Sequence, residues 1–256
     1  MGNAARKAER RATREKIRAQ REQELRREQR RRQVTITLSV IGVLVLIVGI
    51  VALWQSTRNR SEVYAGELAP ISRTGQGDVV MAKPGVEKPV LDIYEDFQCP
   101  YCKLFEESSG DTVKRLAAEG KVKVVYHPIT LFSNEPLKGN SLRAATALRC
   151  VPGGRPWMNL HDRLFAEQPA EGTVGFAVDQ MVAWGKEAGV TDPGFEQCVR
   201  GQRDAAQQLT YSAETIKNDK VEGTPLVRLD GKDLGDAAYV PGELEKAVLD
   251  AQAAAK

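Results

Sequence analysis

Residues 34–53, VTITLSVIGVLVLIVGIVAL, carry no charged side chain and are mostly Leu or β-branched. A helix rises about 1.5 Å per residue, so about 20 apolar residues cover the hydrocarbon core of a bilayer. Trp54 follows, where an amphipathic ring suits the membrane–water boundary. The pattern predicts one transmembrane helix over 34–54. Residues 1–33 show the opposite pattern. Apart from Met1, only Ile17 and Leu25 are large and apolar, so there is no stripe to bury. Such a segment reads as a solvated helix or a disordered tail. Residues 55–77 are polar and turn-rich and read as a linker.

From Asp78 onward, short strand-like runs alternate with helical ones. VVMA (Val79–Ala82) and PVLDIYEDF (Pro89–Phe97) read as strands, separated by turn signals at Pro84–Gly85 and Lys88–Pro89. FQCPYC (Phe97–Cys102) comes next. KLFEESSGDTVKRLAAEG (Lys103–Gly120) then reads as a helix with Gly120 suited to its C-cap. KVKVVYHPI (Lys121–Ile129) is the following strand, which completes a βαβ unit with an expected right-handed crossover. Asn140–Cys150, Arg155–Glu167, Thr173–Gly189 and Gln202–Val221 have helical composition or periodicity. LVRL (Leu226–Leu229) before Asp230–Gly231 reads as a strand entering a hairpin, and Glu243–Ala255 as a closing helix.

Charge adds a direction to this pattern. Residues 1–33 hold 13 of the 37 Lys+Arg and 5 of the 34 Asp+Glu, so this end carries +8 and the remainder −5. Arg26, Arg27, Arg30, Arg31 and Arg32 precede the apolar run, whereas Arg58 and Arg60 follow it. The basic side stays inside. The expected topology is a single-pass cell-membrane protein with a cytoplasmic N-terminus and an extracytoplasmic domain. Val63–Ala65 (VYA) resembles a signal-cleavage site, but the apolar run exceeds the usual 7–15-residue core of a cleaved signal, which favours an uncleaved anchor. The basic tail is suited to an anionic membrane surface. It lacks interleaved aromatic residues, and no nucleic-acid partner is expected.

The four cysteines are Cys99, Cys102, Cys150 and Cys198. A zinc site takes about four ligands, usually from two close pairs. Cys150 and Cys198 stand singly and the chain has only two histidines, so no metal is expected. At a strand-to-helix junction, Cys99 caps the helix, and Pro100 fits the first helical position. Unpaired N–H groups and the helix dipole favour a thiolate at Cys99. A thiolate there can attack disulfides, and Cys102, one turn on, would resolve the product.

DFQCPYC (Asp96–Cys102) and GTP (Gly223–Pro225), in that order and 123 positions apart, resemble the thioredoxin superfamily, and within it the DsbA-like thiol–disulfide oxidoreductases. The CPYC motif by itself is what glutaredoxins carry, but that separation exceeds a bare glutaredoxin core. The resemblance implies an α/β thioredoxin fold over 78–256 with an inserted helical subdomain at about 136–220, preceded by one transmembrane helix. It implies a cis-Pro225 facing the CxxC, with Thr224 offering backbone hydrogen bonds to a substrate peptide. Cys99 would be exposed and reactive, and the redox-active disulfide would serve without a further cofactor. Partners would be secreted or exported proteins with cysteines and a membrane reoxidising protein of the DsbB or vitamin-K-epoxide-reductase type. In an oxidising compartment Cys150 and Cys198 are expected to form a structural disulfide, with a second redox relay as the alternative.

In this family a buried acid often lies six positions before the first cysteine. Here that position is Ile93, and strand alternation puts Glu95 on the same face and Asp96 opposite. Glu95 is therefore the candidate for proton transfer, with a solvated surface carboxylate as the competing reading. His127 and His161 read as structural or surface residues. Three functions remain: an oxidase, a reductase or isomerase using the same dithiol, and a non-catalytic copper-binding module. The last fits less well, since copper insertion proteins of this fold use CxxxC with a distal histidine.

Overall fold

A computed structural model of the chain describes residues 64–75 and 77–254. The predicted tail at 1–33 and membrane helix at 34–54 lie outside these residues. Among the described residues no helix is long and apolar enough to cross a membrane.

Six strands form a mixed sheet: β1 (Ile71–Arg73), β2 (Val79–Met81), β3 (Val90–Glu95), β4 (Lys123–Pro128), β5 (Leu226–Leu229) and β6 (Lys232–Asp233). Their order is β1-β2-β4-β3-β5-β6. The parallel pair β3/β4 puts Leu91 opposite Val124 and Ile93 opposite Tyr126. β5 runs antiparallel to β3 on the other side. Both faces of β3 are covered, which is why it reads as nearly continuous apolar sequence. Leu91 and Ile93 join the main core with Phe97, Tyr126 and Trp157, while Tyr94 packs with Ile129, Tyr211 and Val221 in a second cluster.

α1 (Pro100–Phe105) follows the CxxC and passes through a π-helical turn (Glu106–Gly110) into α2 (Asp111–Ala118). The inserted helices are α3 (Leu137–Arg149), α4 (Gly154–Ala166), α5 (Val178–Glu187), α6 (Phe195–Arg200) and α7 (Ala205–Asn218). A 3₁₀ turn (Gly235–Tyr239) and α8 (Pro241–Ala254) close the chain. On α4, Trp157, Leu160, His161, Leu164 and Phe165 are buried, the three-and-four spacing of a core-facing stripe. In the β5–β6 hairpin, Asp230 and Gly231 both take positive φ, as a two-residue primed turn requires.

Three sequence expectations need correction. The segment 55–77 is more than a linker: Ile71–Arg73 pairs with β2, and Ala69 and Ile71 are buried. A three-residue edge strand is too short for periodicity to reveal, and its partner supplies the order. Gly153 bridges to Ser72, and a Cβ there would meet the Ile71 carbonyl at 2.7 Å. The single helix expected at 103–120 is interrupted by the π-helical turn, and α6 was not anticipated because six residues give too little pattern.

Cys150, at the end of α3, is disulfide-bonded to Cys198 in α6, with Cα atoms 5.9 Å apart. A loop with a sequence separation of 48 corresponds to about 4 kcal/mol on chain-entropy grounds. The double variant Cys150→Ser/Cys198→Ser should therefore lose about that much unfolding free energy in urea. The unreduced, denatured wild-type protein should show no alkylation at Cys150.

At the sheet, His127 Nδ1 meets Asp78 and Nε2 meets Asp92, each at 3.0 Å, and Tyr94 stacks on the ring. Burial pulls the imidazolium down, but the two carboxylates outweigh it and raise the pKa to about 9. With a folded value above the unfolded 6.5, this stabilisation is complete below pH 6.5 and is lost as pH rises through 9. Urea titrations at pH 6 and pH 9.5 should show a loss of about 3 kcal/mol in the wild type that His127→Gln does not share.

Candidate active site

β3 delivers the chain to the site, and the residues after it turn back to start α1. Cys99 is the N-cap of α1 with an extended backbone, and Pro100 opens the helix without needing an N–H partner. The Cys99 carbonyl accepts from the N–H groups of Cys102 and Lys103. Both cysteines are free thiols. Cys102 faces inward, with the Asp96 N–H 3.5 Å from its sulfur.

The Thr224–Pro225 peptide is cis, and the Cys99 thiol donates to the Thr224 carbonyl at 3.0 Å. This contact explains a departure from expectation. Cys99 is only 5% exposed, because the Thr224 loop packs over it. The exposed side chains beside it are Tyr101, at 66%, and Leu104. Tyr239 from the 3₁₀ turn meets Phe105 edge-on below them.

The inserted helices grip this loop. Gln168 donates to the carbonyls of both Phe97 and Cys99 at 2.9 Å, and Lys103 donates to the Ala166 carbonyl at 3.0 Å. Asn140 donates to Gln98 at 2.7 Å. Asp96 is fully buried, and its carboxylate accepts from Gln98 N–H, Leu131 N–H and Ser141 Oγ. Burial raises its pKa despite those bonds. Asp96 is thus a strut between the loop and α3.

The two thiols are electrostatically unequal. Hydrogen bonding from the Cys102 thiol, against the cost of burial and with help from the N–H groups of Cys102 and Tyr101, lowers Cys99 to about 6. Burial pushes Cys102 well above the ordinary thiol value. At pH 7 Cys99 is therefore mostly thiolate and Cys102 remains a thiol, the polarity needed for a nucleophile and a resolving group.

Glu95 is buried, which removes the reading of a solvated surface carboxylate. Its Oε1 meets His161 Nε2 at 2.9 Å, and His161 has no exposed surface. Burial lowers the His161 pKa, but Glu95 and Asp162 together raise it to about 10. Glu106 joins the cluster, and burial lifts its carboxyl to about 7. Donor atoms of Glu95, Glu106 and His161 lie within 4.8 Å of one another, a spacing that would also suit a divalent ion. Lys114, 3.9 Å from Glu106, already supplies a positive charge there. The reading of His161 as structural or surface missed this cluster. The only available hint was its place in the apolar stripe of α4, where a histidine needs a partner.

A dithiol at a helix N-terminus, faced by a cis-proline loop in a helix-inserted thioredoxin fold, defines the class of DsbA-like thiol–disulfide oxidoreductases. The family model described as Thioredoxin matches residues 87–249, and the chain belongs to that family. It is similar to the reduced disulfide bond oxidoreductase DsbG of Mycobacterium tuberculosis (26% identity, TM-score 0.58, 71% of this chain and 86% of that one). It is also similar to reduced DsbA of M. tuberculosis (26% identity, TM-score 0.54, 74% and 99%). Among curated proteins, the serine/threonine-protein kinase PknE of M. tuberculosis is 25% identical over 159 residues, 59% of this chain. That match spans 28% of the kinase.

Iodoacetamide should alkylate reduced Cys99 with a pH midpoint near 6, read by peptide mass, while Cys102 stays unmodified through neutral pH. A Cys99 midpoint near the ordinary 9 would contradict the electrostatics above.

Proposed function

We propose that the chain is a membrane-tethered, extracytoplasmic thiol–disulfide oxidoreductase that oxidises cysteine pairs of secreted proteins through Cys99 and Cys102. The observation that carries the direction is the stabilised Cys99 thiolate. A dithiol whose reduced form is stabilised gives up its disulfide readily and is a strong oxidant.

A substrate thiolate attacks Cys99 Sγ of the Cys99–Cys102 disulfide, and the electron pair of the broken bond leaves on Cys102. The substrate chain lies against Thr224–Pro225, displacing the contact that covers Cys99, with Tyr101 and Leu104 offering apolar surface. The second substrate thiolate then attacks its partner sulfur and releases Cys99 as a thiolate. The substrate has lost two electrons and two protons; the dithiol has gained the two electrons and one proton at Cys102, and the other proton goes to solvent because Cys99 leaves as a thiolate. Glu95 serves proton transfer at Cys102. Reoxidation falls to a membrane partner of the DsbB or vitamin-K-epoxide-reductase type. Residues 34–54 anchor the domain outside the membrane, and the basic tail rests on anionic lipid inside. Thr224 before the proline and the similarity to DsbG support the second reading, a reductase or isomerase using the same residues.

The potential measured in glutathione buffers should fall nearer about −120 mV than about −270 mV, and a strongly reducing value would overturn the oxidase reading. Cys102→Ser should accumulate mixed disulfides with secreted cysteine-containing proteins, and Cys99→Ser should form none.

A further inference from the structure

Behind the dithiol a line of polar side chains leads from the interior to solvent. Glu95 Oε1 meets His161 Nε2 at 2.9 Å, and His161 Nδ1 meets Asp162 Oδ1 at 3.1 Å. Asp162 Oδ2 accepts from Lys114 Nζ at 2.8 Å. Lys114 in turn lies 3.9 Å from Asp111, which is 79% exposed. At the inner end, Glu95 Oε2 is buried and has no hydrogen-bond partner, and the Glu95 charge is one of those that oppose ionisation of Cys102. At the outer end the Tyr64 ring lies over Lys114 Nζ at 5.9 Å. Arg155 holds that segment by donating to the carbonyls of Tyr64 and Gly66.

We propose that His161 relays the proton of the Cys102 thiol between Glu95 inside and the buried Asp162–Lys114 pair, which leads to the exposed Asp111. This rests on the oxidoreductase reading above and deepens it. His161 acts through Glu95, so it is a positioning residue rather than a catalytic one. When the Cys99–Cys102 bond breaks and its electron pair leaves on Cys102, the His161 imidazolium gives a proton to Glu95. Glu95 passes it to the Cys102 sulfur. A proton from solvent, arriving by Lys114 and Asp162, restores the imidazolium, so the net change is one proton taken up at Cys102. In the reverse direction Cys102 loses that proton before its thiolate attacks a mixed disulfide on Cys99.

The groups facing His161 come from every element around it: Glu95 on β3, Tyr126 on β4, Glu106 on the π-helical turn, Lys114 on α2 and Asp162 on α4 itself. Glu106 has both carboxylate oxygens without a hydrogen-bond partner. It sets the local field and lies 3.9 Å from Lys114, the cation that pairs more closely with Asp162 at 2.8 Å.

The test uses the reduced full chain mixed with oxidised glutathione, quenched in acid and read by mass. Cys99 first forms the mixed disulfide, and Cys102 then displaces glutathione. In His161→Gln the first step should keep its rate. The second should slow at least about tenfold at pH 7, the lower range for lost acid–base assistance, with the deficit closing as pH rises. Asp162→Asn should slow the same step, and it carries the test if His161→Gln does not fold. An unchanged second step, or both steps slowing together at all pH values, would overturn the relay. A wild-type chain that forms no mixed disulfide at all would overturn the oxidoreductase reading and the relay with it.

Discussion

Cys99 Sγ lies 3.0 Å from the carbonyl of Thr224, a residue 125 positions later, and the arrangement of the site depends on holding that pair together. The sheet does so. β5 pairs antiparallel with β3, and Tyr94 stands opposite Leu226. The chain leaving β3 and the chain entering β5 therefore meet at one end of the sheet. The CxxC grows out of the first and the cis-proline loop leads into the second. A one-residue shift of register would turn Leu91 and Ile93 toward the polar His127 side and drive Asp92 into the apolar core, so the two unlike faces of β3 fix the position of the sulfur.

The inserted helices add precision that the sheet alone would not provide. Gln168, Lys103 and Asn140 tie the start of α1 to the insertion, and Asp96 joins the same loop to α3. These groups are buried or half-buried, and an unpaired one would cost about 1–3 kcal/mol. Movement of the insertion away from α1 would break several such bonds together. The Cys150–Cys198 bond then fixes α3 to α6.

The site also shows how one loop gives two thiols different chemistry. Cys99 has the helix N-terminus and the neighbouring thiol to stabilise its charge, whereas burial, the neighbouring Cys99 sulfur and the Glu95 charge oppose ionisation of Cys102. The position corresponding to the family's buried acid is Ile93, which packs in the apolar core. Two residues further along the same face, Glu95 is buried, and α4 supplies His161 as its counter-charge.

Much of this was legible in the residues. The strand–CxxC–helix–strand order, the Asp230–Gly231 turn, the four longer inserted helices and the burial face of Glu95 all follow from local periodicity and turn chemistry. Local pattern acts over a few residues, and those elements are long enough to carry it. β1, α6 and the π-helical turn were not legible, because three to six residues do not set a period and their order comes from neighbours. The cover over Cys99, the clamp from Gln168 and the Glu95–His161–Asp162–Lys114 line were decided by tertiary structure. Each joins residues on different elements, from 48 to 125 positions apart, apart from the adjacent His161 and Asp162. A side chain's partner at that range is set by packing of the elements that carry it, which no local pattern encodes.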